Sequence, residues 1–317
     1  MIDLIGQTNP FDLVAIITKW IIYGGVASVI GGLFMMMLIT GLESKRLTHK
    51  QEQGLLTQYR ELTRYMCKGA IIGGGAVVVN FYLQVGSFAE DGWAGLFDPT
   101  MSELLWLSDL GSSVAWRITG FSLVLLAALI PNKLNRTNRF FLFSLLLIAT
   151  VCLAYSFTLI GHSTELGKFA KWLVALHVVA IGVWIGSLLP LWSMCGCLAS
   201  EQLKQYMESF GRLAMFIVAI VALTGGILLT QLLQTPMEII TSNYGLGILI
   251  KLSIIALILM IAALNKFNLV PGLSASDNDP RPSLLLKRSI GVEILIACLI
   301  LSITAFVSSV LGPKIFS

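Results

Sequence analysis

The side chains able to do coordination chemistry are few and unevenly placed. The chain has three histidines and five cysteines in 317 residues. One histidine and two cysteines fall on a single apolar stretch, ALHVVAIGVWIGSLLPLWSMCGC, from Ala175 to Cys197. A second histidine, His162, precedes it in LIGHSTELG. Imidazole is the commonest protein metal ligand, and its neutral form brings no charge into an apolar setting. Thioether and thiolate sulfur favour Cu(I), which imidazole also suits. The sulfur groups gather at one level. Met35, Met36 and Met37 close one apolar run, Met66 and Cys67 open the next, and Met194, Cys195 and Cys197 close a later one. Met215 and Met260 belong to the same level. The candidate ligands are His162, His177, Met194, Cys195 and Cys197. The plainer account makes the methionines gap-fillers between helices, the cysteines ordinary reduced thiols and the histidines hydrogen-bonded interfacial side chains. Cys-Gly-Cys is a weaker signal than a Cys-x-x-Cys pair, and no second pair completes a zinc site.

Helical spacing separates these groups into two places. At 100° per residue, His177, Trp184 and Cys195 share one face to within about 20°, while Gly182 and Gly186 fall on the other side. His177 and Cys195 lie about 27 Å apart along a straight helix, too far to hold one ion. The spacing predicts a histidine site near one mouth of a membrane and a sulfur-rich surround near the other. Pro190, between them, is a candidate kink.

A membrane is required by composition. The chain is 56% hydrophobic and 12% charged, with a mean hydropathy of +0.85. A soluble domain carries about 25% charged residues. The net charge of +4 is spread over short loops and gives no footprint for nucleic acid. The cysteines are too few for a disulfide framework. The first apolar run is too long, and its front too acidic, for a cleaved signal peptide.

A hydrocarbon core of about 30 Å takes about 20 apolar residues per helix. Eight stretches qualify: Trp20–Leu42, Arg64–Gly86, Ser112–Ile130, Phe140–Ile160, Lys171–Met194, Phe210–Leu233, Leu246–Leu264 and Ser289–Leu311. The expected fold is all-α, a polytopic bundle of eight transmembrane helices forming a single integral membrane domain over residues 1–317. Asn268–Ser283 reads as a flexible linker. No internal repeat is visible, so an inverted-repeat transporter is not indicated.

Basic residues set the orientation. Lys45, Arg46, Lys50 and Arg60 follow the first span, and Lys133, Arg136 and Arg139 follow the third. Lys204 and Arg212, then Arg281, Lys287 and Arg288, occupy later loops on the same side. The stretch Ser87–Gly111 has Glu90, Asp91, Asp98, Glu103 and Asp109 and no Lys or Arg. Both termini are expected outside, which in a bacterium is the periplasm.

Within the spans, small residues permit close helix approach, with Gly182 and Gly186 forming a GxxxG and further candidates at Gly24–Gly25, Gly31–Gly32, Gly73–Gly75 and Gly225–Gly226. Lys19 and Arg117, near the outer boundary, are expected to snorkel to water. Lys251 lies about two turns in from the outer face and Glu293 about a turn in from the inner one. Structural ion pairing is the plain account of both, although their depths argue against pairing with each other. Intramembrane charges are otherwise functional candidates.

The stretch LHVVAIGVWIGSLLPL matches a pattern His-x-x-Ala-x-x-x-Trp-x-Gly-Gly-Leu at His177, Ala180, Trp184 and Gly186, with Ser187 in place of the second glycine. GHS at His162, NYGLGILIKLSIIALILMIAALNKFNLVPGL and LLLKRSIGVEILIACLILSITAFVSSVLGP add further elements. On these motifs the chain resembles the copper-resistance D family. The resemblance is specific over 161–313, looser over 112–160 and mostly architectural before that. It implies a multi-pass protein of the bacterial inner membrane that handles copper, as Cu(I) or Cu(II), often beside a periplasmic copper-binding protein of the CopC type. It also implies that His162 and His177 are the metal-handling pair.

Three classes of function follow. The first is copper transport, with uptake from the periplasm as the direction the resemblance implies. The chain has no ATP-binding or phosphorylation motif to drive it. The second is electron transfer through one haem held by His162 and His177. The third is a delivery factor that passes copper on without translocating it. No nucleophile–base set suggests an enzyme.

Overall fold

The computed structural model describes residues 10–42, 49–130, 136–161, 167–232, 237–273 and 280–310. Among them lie eight helices long and apolar enough to cross a membrane. They are α1 (Pro10–Leu42), α2 (His49–Phe88), α3 (Asp109–Ala128), α4 (Arg136–Ser156), α5 (Lys168–Met194), α6 (Ser200–Leu232), α7 (Asn243–Leu264) and α8 (Arg281–Val310). No strand occurs among the described residues.

Several helices run past the expected spans. α2 has 40 residues and α6 has 33, about 60 and 50 Å, well beyond a hydrocarbon thickness of about 30 Å. Their extra turns are polar and carry surface pairs: Glu61–Arg64 at 2.7 Å on α2 and Lys204–Glu208 at 3.6 Å on α6. Much of what reads as basic loop in the sequence is thus helix projecting from one end of the bundle, the basic end. The opposite, acidic end is ordered too. Asp98 accepts from the Met101 amide at 2.7 Å and starts a short helix, Pro99–Trp106, with Pro99 in the first turn. Ser108 caps α3 in the same way through the Leu110 amide. Trp93 meets Phe11 edge-on with centroids 5.1 Å apart, and Trp106 meets Phe81 at 5.8 Å. Both tryptophans stay partly exposed, as membrane-interface aromatics do.

The expected linker from Asn268 is also helical at its start. α7 passes into a π-helical turn, Asn265–Leu269, and a further turn, Val270–Gly272. Val270 and Leu273 are buried there, so the apolar residues of NLVPGL hold the segment on the bundle. Pro271 lies in the first turn, where a missing amide costs nothing. Pro190 leaves α5 continuous from Lys168 to Met194.

α1 is the central helix. It packs against α2, α4, α5, α6 and α8, and 72% of its apolar window is buried, against 11% for α6 and for α7. The tightest crossing is between α1 and α5. A Cβ at Gly186 would lie 1.8 Å from the Ala27 carbonyl oxygen, and one at Gly31 would lie 2.2 Å from the Gly186 backbone. Gly182 meets Ile30 of the same helix. The Tyr65 hydroxyl of α2 donates to the Gly186 carbonyl at 2.9 Å, tying a third helix to the crossing.

Arg117 departs from expectation. It does not snorkel to water but is 6% exposed, donates from Nε to Ser156 Oγ at 3.2 Å and lies 4.7 Å over the Phe157 ring. Tucking the guanidinium between α3 and α4 supplies a hydroxyl and a ring face in place of water. Lys19 reaches the Ser308 carbonyl at 3.5 Å.

Adding a side chain at the crossing should be costly. Gly186→Val is expected to destabilise the detergent-solubilised protein by about 1–3 kcal/mol or more. Gly24→Ala, with nothing within 4 Å of the added carbon, should be nearly silent. Thermal unfolding followed by tryptophan fluorescence checks the pair.

Candidate metal site

His177 is positioned by the glycine face of its own helix. Nine residues separate it from Gly186, half a revolution at 100° per residue, so fixing Gly186 on α1 turns His177 away from α1. It meets α6 instead. His177 Nδ1 lies 2.8 Å from Thr224 Oγ1. A Cβ at Gly225 would lie 3.0 Å from His177 Cε1, so the bare glycine makes room for the ring.

The partners of Thr224 fix the tautomer. Its hydroxyl has one proton, and it donates to the Ile220 carbonyl at 2.6 Å, with the Val221 carbonyl at 3.3 Å. Thr224 Oγ1 must then accept from His177, so Nδ1 carries the hydrogen. In the neutral ring this leaves the lone pair on Nε2. A histidine that donates one nitrogen to an oriented acceptor and keeps the other bare is the arrangement of a metal ligand. Lys251 of α7 lies within electrostatic reach of His177. In its charged form it would oppose a cation at Nε2.

His162 falls outside the described residues. Among the described residues, no three His, Cys, Asp or Glu side chains converge as a group able to hold a metal. The histidine site is built here from His177, Thr224, Gly225 and Lys251, on three helices. Thr224 was not legible as a site residue, and Gly225 was legible only as part of a Gly–Gly pair permitting close approach. Their only signal is a Thr-Gly-Gly in an apolar run.

The sulfur groups divide. Met35, Met36, Met66, Met194 and Cys195 are buried in the main core, whereas Met37, Met215, Met260 and Cys197 are exposed. Met66 lies against Gly32, filling the space that a Cβ there would need. Cys195 sits just past α5. Burial pushes its thiol up to about 12, with the Lys287 ammonium pulling the other way. It therefore rests as a thiol rather than the thiolate a metal prefers. Lys287 lies 4.4 Å over the Trp192 ring, and its Nζ would be 3.0 Å from a Cβ at Gly196. A positive charge thus borders the Cys-Gly-Cys turn as well.

Glu293 and Lys251 do not meet, as their depths argued, and neither has an ion-pair partner among the described residues, where ion pairing was the plain account of each. Glu293 is buried on α8 and meets a neutral amide: Asn265 Nδ2 lies 2.6 Å from Glu293 Oε1. Lys251 is fourteen residues before Asn265 on the same helical run, about 21 Å away along it, which keeps the two charges apart.

Comparison with known proteins bears on this arrangement. Residues 10–172 match the family described as "Copper resistance protein D-like, N-terminal domain", and residues 204–307 match "Copper resistance protein D". The chain belongs to the copper resistance protein D family. A relative, "Inner membrane protein YebZ" of Escherichia coli (strain K12), is 26% identical over 223 residues, covering 67% of this chain and 74% of its own. No solved structure matches. The family match reaches into the N-terminal half, where the sequence motifs gave only architecture. Thr224, Lys251, Asn265 and Glu293 lie inside the second matched range. His177 lies between the two ranges, so its assignment rests on its own geometry and on the motif around it.

Removing the acceptor should release the ring. In protein labelled with 15N-histidine, His177 is expected as the Nδ1–H tautomer. Thr224→Val should shift it toward a mixture and weaken any metal held at Nε2 by about 10–100-fold, while Thr224→Ser should preserve both. A ring nitrogen spectrum indifferent to Thr224→Val would contradict the assignment.

Proposed function

We propose that this chain moves copper across the bacterial inner membrane, with His177 Nε2 as a ligand on the route. The observation that carries the reading is the contact of His177 Nδ1 with Thr224 Oγ1 at 2.8 Å, whose hydroxyl also reaches the Ile220 carbonyl. It orients the ring and leaves one donor atom free inside a protein of the copper resistance D family. On this reading both termini and the acidic end face the periplasm, and the basic end faces the cytoplasm. The carboxylates of Ser87–Gly111 raise the local concentration of cations at the entrance. His162 would supply a second imidazole at the same mouth. Copper taken up there passes His177 and proceeds toward the buried Met35, Met36, Met66 and Met194, whose thioethers suit Cu(I). Cys195 and Cys197 would lie at the exit. A periplasmic protein of the CopC type is the expected donor.

Lys251 has a defined part in this reading. A transit site must release its ion, and an ammonium bordering His177 lowers the affinity of any cation held there. It keeps the site from becoming a resting copper centre.

Purified protein should bind copper stoichiometrically. His177→Ala should weaken binding tenfold or more, about 1.4 kcal/mol, and Lys251→Met should tighten it while slowing flux into liposomes. Wild-type protein binding no more copper than a His162/His177 double variant would end this reading. Binding without flux in liposomes would assign the chain to copper delivery instead.

The orientation is tested separately. Single cysteines placed in the 87–111 loop, in a cysteine-free background, should react with a membrane-impermeant maleimide on intact spheroplasts. Cysteines placed in the polar first turns of α6 should react only after lysis.

A further inference from the structure

Glu293 is the only acidic side chain among the buried polar residues described, and it has no basic partner. It is 4% exposed. A bare carboxylate in an apolar setting is costly unless paired and fully hydrogen-bonded. Here a single contact is made, to Asn265, at 2.6 Å. That separation is short for N–H···O and ordinary for O–H···O. Asn265 is itself 7% exposed, and its Oδ1 has no hydrogen-bond partner. A buried acceptor without a donor needs an explanation.

One change accounts for the short contact and gives Oδ1 a donor, with Nδ2 taking the position that Oδ1 leaves. The oxygen and nitrogen of a side-chain amide occupy nearly equivalent positions. Turning the Asn265 amide over about its terminal bond places Oδ1 against Glu293. A protonated carboxyl then donates O–H to it, at the distance observed. In the other orientation Nδ2 donates to the carboxylate. The amide can serve either form of Glu293, as donor to the anion and as acceptor from the acid. Asn265 also opens the π-helical turn, where the Val270 amide reaches the Asn265 carbonyl five residues back. Such turns recur at functional sites in helices.

The geometry points to a proton-carrying site formed by Glu293 and Asn265, in the half of the membrane toward the basic end. Its ligand is a proton. Two oxygens do not make the shell of six or more that a hard metal cation takes.

The surroundings leave Glu293 as the group that titrates. Its helix packs against α1, α5, α7 and the π turn. The charged or titratable side chains described there are Asp12, Lys19, Tyr23, Lys168, Lys171, His177, Cys195, Lys251 and Lys266, with Arg281, Lys287, Arg288 and Cys298 on α8 itself. Among the described residues, the side chain that hydrogen-bonds Glu293 is Asn265. Lys266 turns its ammonium to Met215 Sδ at 2.7 Å, and Lys287 sits over Trp192.

The site does not depend on copper, so its test stands apart from the transport reading. The full chain in lipid nanodiscs is examined by infrared difference spectroscopy between about pH 5 and 9, the range in which a buried carboxyl titrates. Wild-type protein should show a protonated-carboxyl stretch that moves on 13C-glutamate labelling, which requires no substitution. Glu293→Gln should abolish the band, and Asn265→Leu should shift its frequency and its midpoint by a pH unit or more. Three results would overturn the proposal. They are the absence of a pH-dependent band in the native chain, its survival in a folded Glu293→Gln variant, and displacement of the band by sodium but not by choline, which would make the occupant a metal cation.

Discussion

The crossing of α1 and α5 through bare glycine backbone is the constraint on which the rest depends. Gly31 and Gly186 approach so closely that no Cβ fits at either position. Lipid offers apolar helices no hydrophobic reason to associate, so van der Waals contact at small residues must supply the attraction. Once the Gly186 face is pinned to α1, helical periodicity decides where every other side chain of α5 points. His177, nine residues away, has to face outward from α1 and toward α6. The position of the one described histidine of the bundle interior is thus a consequence of glycines two and a half turns away. The hydroxyl of Tyr65 reinforces the same point by donating to the Gly186 carbonyl, which joins α2 to the crossing.

A second regularity concerns polar groups between the helices. They are satisfied by neutral partners rather than by opposite charges. Thr18 and Asn80 pair at 2.9 Å, Arg117 finds Ser156, His177 finds Thr224, and Glu293 finds Asn265. The two ion pairs among the described residues are both on exposed helical extensions. A neutral partner satisfies geometry without cancelling charge. Glu293, met by the Asn265 amide, is therefore left without an opposite charge among the described residues.

The sequence is informative wherever one helix decides the outcome. Eight spans are readable because an apolar run must be about a bilayer long, and the opposition of His177 to Gly186 is readable because periodicity is a property of a single helix. The limits of the spans are less readable. The first turns of α2 and α6 are polar yet stay helical, since leaving the bilayer does not end a helix. Asn268–Ser283 looked like linker by its Pro and Gly content, but Leu269, Val270 and Leu273 give its start an apolar anchor. Arg117 could be placed by depth but not by partner. Thr224 and Asn265 were invisible as site residues for the same reason: each acquires meaning only from a side chain on another helix, 47 and 28 residues away in the chain. Cys195 and Cys197 looked equivalent two residues apart, yet one is buried and the other exposed. The end of the α5 helix falls at this point, and the turn that follows separates them.

The division between fixed and peripheral helices then gives the two sites a common frame. α1 and α5 meet along glycine and cannot slide without collision. α6 and α7 bury far less of themselves, and α7 packs along α8 while touching α6 through its π turn and the turn after it. His177 belongs to the fixed pair. Its acceptor, Thr224, belongs to α6, and its neighbouring charge, Lys251, belongs to α7. Asn265 directly follows that same α7, opening its π turn, and at 100° per residue falls within about 40° of Lys251 around the helix axis. Any displacement of α7 relative to the α1–α5 pair must therefore alter the charge beside His177 and the partner of Glu293 together. One helix thus carries a neighbour of His177 and the partner of Glu293, so a change beside either residue biases the position of the same element.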